Sequence, residues 1–524
     1  MSSMRRRGLA VLGAVAALLL IAGWGHGRLP PLEPRTPSGA VPDLASTDLA
    51  RAIGPVATAD GRSDRTGVLA ITSNTDALAA RVLLADSARR SLDVQYYIWH
   101  DDVSGSLLLD ALRRAAVRGV RVRLLIDDGG TTGMDEVLAA FDRHPNVEVR
   151  LFNPFAQRHL RWLAFLTDFE RLNRRMHNKS FTADGAATIV GGRNVGDEYF
   201  GIADDVNFLD LDVLAVGKIV PEVSAEFDSY WSSASAYPAD RLLPRPTDEA
   251  VARLDEAARR RGEERLARDY GKAVDRSESV RALLAGKLEF EWTHVRLVSD
   301  EPDKVLGGKP VADSLPDALG ELLGSPRQEL QIVSSYFVPT EAGVAKLAEL
   351  ARCGVKVSVL TNSLAATDVA AVHAGYADSR APLLRSGVAL RELKSGERSD
   401  SRPKLVFLGS RAGGGSSAAS LHAKTFAADR SRVYVGSLNF DPRSVRLNTE
   451  MGFIIDSPAI AARTSDFFRD GLAERAWQLG LDANGKLRWT DPQDGHSVDH
   501  EPDASRSLRA AVEVLSWLPI EGLL

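Results

Sequence analysis

The sequence predicts an α/β protein built from two similar domains, and three observations support this expectation. The chain has 524 residues, more than a single domain of ordinary size contains. Apolar runs typical of buried strands alternate with stretches of helical periodicity. The order strand, helix, strand occurs at 92–128 and again at 330–362. Because such units connect parallel strands, we expect largely parallel sheets that are covered on both faces.

The two strand–helix–strand units match each other part by part. The first consists of LDVQYYIW at 92–99, a helical stretch from Ser106 to Arg118 and GVRVRLLIDD at 119–128. The second consists of LQIVSSYFV at 330–338, a helical stretch from Ala342 to Cys353 and GVKVSVLTN at 354–362. A glycine opens the second strand of each unit, where it is typical of a helix end.

Composition excludes several classes of protein. Hydrophobic residues make up 44% and charged residues 26% of the chain, which excludes general disorder, collagen and coiled coil. The net charge of −5 gives no overall basic surface for nucleic acid. Cys353 is the only cysteine, so an intramolecular disulfide and a multi-thiolate zinc site are excluded. We find no cluster of metal ligands and expect neither metal nor cofactor.

The N-terminus predicts export or membrane attachment. Arg5, Arg6 and Arg7 precede an uncharged, mostly apolar run from Gly8 to Gly23. This order is typical of a signal anchor or a cleaved signal peptide, and a buried helix is the third alternative. We therefore expect a hydrophobic helix within residues 1–27.

Composition shifts divide the rest of the chain into five parts. We expect a Pro- and Gly-rich flexible tether, a first domain, a charged helical connector, a second domain and a C-terminal tail. The expected bounds are 28–66 for the tether, 67–240 for the first domain, 241–290 for the connector, 291–485 for the second domain and 486–524 for the tail. The Gly/Ser stretch at 409–420 is either a surface insertion or a lid, and His496 and His500 in the tail are expected in a solvated loop rather than a metal site.

The two halves also share a polar pattern with identical spacing. A histidine is followed by lysine after two residues, by aspartate after seven and by asparagine after seventeen. These residues are His177, Lys179, Asp184 and Asn194 in the first half and His422, Lys424, Asp429 and Asn439 in the second. A single copy would be read as an ordinary strand histidine, but duplication at equal spacing predicts a shared site.

The pattern predicts phosphoryl chemistry without a metal ion. A histidine and a lysine two residues apart on one strand point to the same face. Two such strands brought together would place two imidazoles and two ammonium groups in one pocket, with the asparagines as neutral donors. One histidine can attack a phosphodiester while the other protonates the leaving alcohol and then deprotonates the acceptor.

Carboxylates are expected to orient the two imidazoles. Glu450 in NTEM could serve one histidine, and we expect Asp212 in LDLDV to be its counterpart in the first half. Asp184 and Asp429 belong to the motif, but we expect them to fix turns rather than to touch substrate.

These residues resemble the phospholipase D superfamily, whose signature H-x-K-x4-D occurs here twice, and more closely its cardiolipin synthase C-like branch. The branch resemblance lies in FNPF (152–155), RLNRRMHNKSFTADG (171–185), TIVGGRNVGDEYFG (188–201) and DLDVLAVG (210–217). It implies two α-β-α sandwich domains about a pseudo-twofold axis with one active site between them. One departure is GGRN in place of GSxN, which leaves Ser437 without a counterpart in the first half.

The resemblance also implies an activity and its residues. A phosphatidyl group would be transferred between phospholipids through a phosphohistidine, giving cardiolipin from phosphatidylglycerol and a second phospholipid such as phosphatidylethanolamine. The carried-over residues are His177, Lys179, Asn194, His422, Lys424, Asn439 and Glu450. His177 is assigned as nucleophile and His422 as acid–base, and pseudo-symmetry leaves the reverse open. From the three arginines before the apolar run, we expect a bacterial inner membrane location with the catalytic body exported.

Residues 152–176 favour a lipid substrate over nucleic acid. The segment combines aromatic and aliphatic residues such as Trp162 and Phe165 with five arginines. This composition suits the headgroup region of an anionic bilayer, although ordinary core packing would also explain most of these side chains. A phospholipase that forms phosphatidic acid and an exported nuclease are the alternative enzymes, and a binding protein without catalysis is disfavoured because every catalytic position is filled.

Overall fold

A computed structural model gives the fold of most of the chain. It describes residues 28–41, 46–59, 61–158, 160–203, 207–249, 251–252, 255–256, 282, 288–308, 320–322, 324, 326–395, 420–467 and 475–517. The expected N-terminal helix, most of the expected connector and nearly all of the Gly/Ser stretch at 409–420 lie outside these residues.

The described strands form two large sheets and one small one. They are β1 (Thr66–Ile71), β2 (Ser91–Ile98), β3 (Arg121–Gly130), β4 (Val147–Phe152), β5 (Ser180–Ala183), β6 (Ala187–Gly191), β7 (Phe208–Leu209), β8 (Asp212–Gly217), β9 (Ala236–Pro238), β10 (Glu291–Thr293), β11 (Val295–Ser299), β12 (Glu329–Ser334), β13 (Lys356–Asn362), β14 (Ala389–Leu393), β15 (Ser420–Leu421), β16 (Lys424–Ala428), β17 (Arg432–Gly436), β18 (Met451–Ile455), β19 (Ala476–Leu481), β20 (Leu487–Thr490) and β21 (Ser497–Val498). The first sheet has the order β10-β1-β8-β6-β5-β2-β3-β4-β9, and the second has the order β11-β18-β17-β16-β12-β13-β14-β19-β20-β21. β15 pairs only with β7 among the described strands.

The helices cover these sheets. They are α1 (Asp48–Ala57), α2 (Asn74–Ser87), α3 (Val103–Val117), α4 (Asp135–Asp142), α5 (Arg161–Thr167), α6 (Phe169–Leu172), α7 (Asp197–Phe200), α8 (Ile219–Ser232), α9 (Thr340–Arg352), α10 (Ala370–Ala377), α11 (Arg380–Arg385), α12 (Pro442–Arg446), α13 (Pro458–Asp466) and α14 (Arg506–Ser516), with short 3₁₀ turns at Ala239–Arg241 and Pro302–Leu306. No helix among the described residues is both long enough and apolar enough to cross a membrane.

The two strand–helix–strand units form where the sequence predicts them. In the first unit, α3 begins at Asp102, whose side chain accepts a hydrogen bond from the Gly105 amide. Leu108, Leu112 and Ala115 of α3 are fully buried against the sheet. Helix α3 is followed by Gly119 at φ 92°, a left-handed conformation that favours glycine, and Gly354 after α9 has φ 88°.

Each sheet is mixed, so the expectation of largely parallel sheets is wrong. Among the described strands of these two sheets, only β2-β3-β4 in the first and β12-β13-β14 in the second pair in parallel. The strands that follow each histidine motif form antiparallel hairpins, β5 with β6 and β16 with β17. Their connections are too short for the crossover that a parallel pair needs.

The two sheets share a core. One buried cluster joins Val190 and Val213 of the first sheet with Val433, Val435 and Phe453 of the second. All five side chains are 0–1% exposed, so this contact excludes water. The two halves are therefore packed against each other through their sheets, which places the two histidine motifs close to one interface.

The segment 28–66 differs from the expected flexible tether. It contains α1, and its extended part is bound to the first half. Arg35 Nη1 donates to the Ser233 carbonyl at 2.7 Å, and Trp231 Nε1 donates to Ser38 Oγ at 2.8 Å. The sequence analysis missed the helical spacing of Leu49, Ile53 and Val56 in α1, and the extended part is held by partners distant in sequence.

The expected tail is also part of the fold. β20 and β21 extend the second sheet, and α14 packs on α10 through Val512 and Leu515. β10, placed by the sequence analysis in the second domain, pairs with β1 of the first sheet. His496 and His500 are exposed, as expected for a solvated loop.

Asp184 and Asp429 fix the turns that follow the two motif strands. The Asp184 carboxylate accepts hydrogen bonds from the backbone amides of Arg89, Arg90 and Ser91 at 2.8–3.0 Å. Asp429 accepts the equivalent three amides, from 327 to 329. Both aspartates have φ 51°. Each therefore ties its hairpin to the start of the neighbouring central strand.

Replacing Asp184 by Ala should destabilise the protein more than replacing Asp429 by Ala. Asp184 is fully buried, so its loss leaves backbone donors without partners, at a cost of about 3–5 kcal/mol. The site of Asp429 is partly open to water, which reduces the expected cost to about 1–2 kcal/mol. Urea unfolding monitored by circular dichroism measures both, and Asp184→Asn, which keeps an acceptor oxygen, should recover part of the loss. Equal effects of the two Ala variants would contradict this assignment.

Candidate active site

The two histidine motifs lie where short segments of the two halves pair with each other. β7 and β15 form one such parallel pair, and Met176 bridges to Thr449 in another. The His177 amide donates to the Thr449 carbonyl at 2.9 Å, and the His422 amide donates to the Leu209 carbonyl at 2.9 Å. Each histidine is thus bound through its backbone to the opposite half of the chain.

A carboxylate from the opposite half orients each imidazole. His177 Nδ1 lies 2.8 Å from Glu450 Oε2, and His422 Nδ1 lies 2.6 Å from Asp210 Oδ2. Because a carboxylate accepts, Nδ1 carries the proton in each ring and Nε2 keeps its lone pair. Both rings can therefore act as nucleophile or base through Nε2.

The expected role of Glu450 matches this geometry, but the expectation for Asp212 is wrong. Gly191 and Gly436 occupy equivalent positions in the two motifs, and they pair with Asp212 and Gly452 respectively. The counterpart of Glu450, two residues before Gly452, is therefore Asp210. The LDLDV pattern contains two aspartates on the same face, and sequence spacing alone did not distinguish them.

Asp212 has a different role in the fold. Its buried carboxylate binds Arg81 Nη2 at 2.9 Å and lies 3.3 Å from Arg193 Nη1. Both arginines are 0–1% exposed, and Arg193 also donates to the carbonyls of Ile71 and Asp210. Asp212 neutralises buried cations beside the site and does not contact either histidine ring.

The motif lysines precede or begin the strands rather than lying within them. β5 begins at Ser180, one residue after Lys179, and β16 begins at Lys424. Each lysine ammonium donates to the backbone carbonyl of its own motif histidine. Lys424 also donates to Ser335 Oγ at 3.0 Å. The two lysines are 1–2% exposed, so their charges stay inside the protein.

Both motif asparagines form hydrogen bonds with protein groups next to the site. Asn194 Oδ1 accepts from the Ile98 amide at 3.2 Å, and its Nδ2 donates to the Tyr199 hydroxyl at 3.1 Å. Asn439 Oδ1 accepts from Ser335 Oγ at 2.8 Å. Asn194 therefore positions a tyrosine, instead of offering that amide to a phosphate as the sequence suggested.

Electrostatic effects show that the two motifs share one pocket. Burial, followed by the positive charges of Lys179 and Lys424, holds the pKa of His177 well below its usual range. Burial and Lys424 lower the pKa of His422 to about 3, and Lys179 contributes, while Asp210 opposes the fall. Each histidine responds to the lysine of the other half, so both are neutral at neutral pH before substrate binds.

The lysines are poised to receive an anion. Burial lowers the pKa of Lys179 to about 7, and Lys424 adds to this fall. Burial lowers the pKa of Lys424 to about 8. A bound phosphate diester would supply the missing negative charge and restore the full charge of both ammonium groups. The pocket is therefore matched to an anionic phosphorus centre.

The two orienting carboxylates differ in charge state. Burial raises the pKa of Glu450 to about 7, and Lys179 opposes this rise. Its second oxygen, Oε1, has no hydrogen-bond partner among the described residues. Burial would also raise the pKa of Asp210, but the hydrogen bond and charge of His422 and the charge of Lys424 lower it to about 2. Asp210 is thus fully ionised at neutral pH, whereas Glu450 is not.

The different lengths of the two carboxylate side chains explain the departure GGRN. Ser437 Oγ donates to Glu450 Oε2 in the second half. At Gly192, the equivalent position, a Cβ would lie 2.3 Å from Asp210 Oδ1. The shorter aspartate requires a closer backbone approach, which only glycine permits.

Aromatic residues flank both imidazoles, and the sequence analysis missed them. Tyr97 packs edge-on against the His177 ring with centroids 5.1 Å apart. Tyr199 packs edge-on against His422 at 5.1 Å, and Phe208 lies against the same ring at 5.1 Å. The available signal for Tyr97 was its place at the end of the first central strand, where parallel strands deliver side chains to a site.

Residues 152–176 divide into a buried part and an exposed part. Phe152 and Phe155 belong to the core, and Phe165 is half-buried against Phe155 at 5.7 Å. Trp162 is 65% exposed and Leu166 is 66% exposed, both on α5. The apolar surface expected at this segment is therefore limited to α5 and excludes most of the other aromatic residues.

The arginines of this segment do not form the expected free fringe. Each is paired with a carboxylate of the same half, and the pairs of Arg158, Arg161 and Arg175 attach the segment to residues 127–135. The pairs are Arg158 and Arg161 with Asp128 and Asp135, Arg171 with Asp168, Arg174 with Glu170 and Arg175 with Asp127.

One group of side chains in the described part of the chain is close enough to hold a metal ion. It consists of His100, Asp102 and Glu198, all of them partly exposed. The group contains neither motif histidine. Asp102 also caps α3, and its Oδ2 accepts from the Asp197 amide at 2.8 Å.

Comparison with known proteins agrees with this geometry. The family described as "Cardiolipin synthase, PLD-like domain" matches residues 83–231 and 319–471. Cardiolipin synthase C of Escherichia coli (strain K12) is 48% identical over 460 residues, which cover 87% of this chain and 96% of that protein. The major cardiolipin synthase ClsA of Bacillus subtilis (strain 168) is 23% identical, over 74% of this chain and 66% of its own length.

A solved structure shares the fold. The phosphatidylserine synthase of Haemophilus influenzae Rd KW20 aligns with a TM-score of 0.57 at 12% identity, covering 91% of this chain and all of that one. The chain belongs to the phospholipase D-like family, with two such domains. Within that family it is a cardiolipin synthase-like phosphatidyltransferase.

Replacing Asp210 by Asn should reduce kcat by about 10³-fold with little loss of stability, because the imidazolium of His422 would lose its charged partner. Replacing Asp212 by Asn should lower the urea midpoint of unfolding. The folded Asp212→Asn enzyme should keep a kcat close to that of the unmodified protein. Initial rates on labelled phospholipid and urea unfolding separate the two effects. A near-normal kcat for Asp210→Asn would exclude the assigned partner.

Proposed function

We propose that the chain makes cardiolipin by moving a phosphatidyl group between two phospholipids through a phosphohistidine on His177. The observation that supports this most is the pair of imidazoles, each oriented through Nδ1 by a carboxylate of the opposite half. Two buried lysines supply positive charge for the phosphorus centre, and this charge becomes complete when the anion binds. Such a pocket needs no metal ion to stabilise a phosphorane-like transition state.

The roles of the two histidines follow from their carboxylates. Asp210 remains ionised and stabilises a protonated imidazole, so His422 is the better acid and base. His177 is neutral and faces a less ionised partner, Glu450, which suits a nucleophile. His422 takes up a proton at Nε2 when the anionic diester enters the pocket. His177 Nε2 then forms the bond to phosphorus as the bond to the headgroup oxygen breaks, and that oxygen takes the proton from His422 Nε2. The acceptor hydroxyl then reverses these steps.

Substrate lipids require access from a membrane surface, and α5 provides an apolar contact. Trp162 and Leu166 project from this helix into solvent, and Leu160 just before it is 41% exposed. α5 follows β4 at the edge where the parallel strands end, which is the edge that carries Tyr97 and the first motif. Tryptophan prefers the headgroup region of bilayers. α5 is therefore the proposed point of contact with the bilayer.

Purified protein incubated with vesicles of phosphatidylglycerol and phosphatidylethanolamine should form cardiolipin. In parallel tubes, the acyl chains of one lipid carry the label, and released glycerol and ethanolamine are quantified to identify the donor. EDTA should leave the rate unchanged. Phosphatidic acid as the main product would indicate hydrolysis, and cleavage of an added oligonucleotide would indicate a nuclease.

Two variants control this assay and test the roles. His177→Ala and His422→Ala should each abolish transfer almost as fully as the double variant, because the two rings act as a unit. With a p-nitrophenyl ester of phosphatidic acid, whose leaving group needs no proton, His422→Ala should still acquire label from the acyl chains. His177→Ala should not. If His177→Ala acquired label and His422→Ala did not, His422 would be the nucleophile and His177 the acid and base.

The double variant Trp162→Ser, Leu166→Ser should raise KM on anionic vesicles about tenfold, because it removes apolar area from the membrane contact. The rate on dispersed short-chain phosphatidylglycerol should stay near that of the unmodified protein. Val117→Ser is the matched control, since Val117 is 63% exposed on another helix. An unchanged KM on vesicles would contradict a role of α5 in membrane contact.

A further inference from the structure

A tyrosine–aspartate pair lies at the rim of the pocket and has no role in the steps above. Tyr336 directly follows Ser335, whose hydroxyl binds Lys424 and Asn439. The Tyr336 hydroxyl donates to Asp368 Oδ2 at 2.8 Å. Asp368 is exposed, in the loop between β13 and α10. The pair thus combines a fixed phenol with a solvent-accessible carboxylate next to the second motif.

Hydrogen bonds place the loop that carries Asp368 beside the second motif: Ser420 Oγ donates to the Ala366 carbonyl at 2.8 Å, and the Leu421 amide donates to Asn362 Oδ1 at 2.9 Å. Burial raises the pKa of Tyr199 well above its usual range, and the charges of Glu198 and Asp368 raise it further. Asp368 also opposes the fall in the pKa of Lys424. Tyr199 contacts the His422 ring edge-on at 5.1 Å. Asp368 therefore lies within electrostatic range of the residues around His422.

The pair has no equivalent in the first half. Alignment of the first strands from Leu92 with Leu330 puts Ile98 at the position of Tyr336. Separate alignment of the second strands from Gly119 with Gly354 puts Gly133, in the following loop, at the position of Asp368. Neither an isoleucine side chain nor a glycine offers a hydrogen-bonding side-chain group. Only the second half therefore has a phenol and a carboxylate at these two positions, and in the proposed mechanism that half carries the histidine that serves the leaving and accepting alcohols.

We propose that Tyr336 and Asp368 form an acceptor subsite for an alcohol that carries a second hydroxyl next to the reacting one. This inference rests on the proposed function and deepens it. A carboxylate accepts more hydrogen bonds than the one that Tyr336 provides, so the second hydroxyl of a vicinal diol donates to Asp368.

The subsite acts in the second chemical step. The first hydroxyl gives its proton to His422 Nε2 while its oxygen bonds to phosphorus and the bond from phosphorus to His177 Nε2 breaks. Water has no second hydroxyl to place at Asp368, so the subsite favours transfer over hydrolysis.

A competition between two small alcohols tests the subsite. Full-length protein is incubated with phosphatidylglycerol and equal concentrations of 1,2-propanediol and 1-propanol, and the two phosphatidyl alcohols and phosphatidic acid are quantified by mass spectrometry. The diol product should exceed the propanol product about tenfold, because a hydrogen bond to a charged group is gained. Asp368→Asn and Tyr336→Phe should bring this ratio close to one.

The product ratio is independent of total turnover, so a general loss of activity does not imitate the effect. Asp378→Asn and Tyr237→Phe are matched controls outside the pocket and should keep the original ratio. Transfer to both alcohols with the same ratio in Asp368→Asn and the unmodified protein would overturn the subsite alone. Formation of phosphatidic acid alone by the unmodified protein would overturn both the subsite and the proposed function.

Discussion

The site depends on one interaction that occurs twice, a hydrogen bond between an imidazole of one half and a carboxylate of the other. His177 depends on Glu450, and His422 depends on Asp210. Neither half orients its own histidine. Each orienting carboxylate directly follows a short segment that pairs with the opposite half of the chain. The catalytic geometry therefore forms only when the two halves are packed against each other. A mutation that loosens the interface should affect both rings together.

The second constraint is the burial of charge. Lys179 and Lys424 lie in a pocket that lowers their pKa values to about 7 and about 8, with burial as the largest cause. The folded protein thus holds cations that lack full compensation until an anion enters. A bound phosphate compensates the charge of the buried lysines. Binding therefore favours the protonated lysines, which are the form that stabilises the transition state.

The near-symmetry of the two halves is broken where their roles differ. Asp210 requires Gly192 behind it, while Glu450 receives a hydrogen bond from Ser437, and the two carboxylates end in different charge states. Tyr336 and Asp368, which are hydrogen-bonded to each other, stand at the positions of Ile98 and Gly133 in the first half. A duplicated fold can position two identical imidazoles, but a nucleophile and an acid need different surroundings.

The sequence alone determined the duplicated units, the spacing of both motifs, the turn aspartates and the pairing of Glu450 with a histidine, because these depend on local periodicity and identical repeats. It did not distinguish Asp210 from Asp212, since both lie on one face of the same short segment and only pairing across the sheet separates them. It also missed Tyr97 and Tyr199 and misjudged segment 28–66 and the tail. Those features depend on tertiary contacts between residues far apart in the chain. The place of Tyr97 at a strand end and the apolar spacing of α1 and α14 were sequence signals, but they did not identify the partners in these contacts.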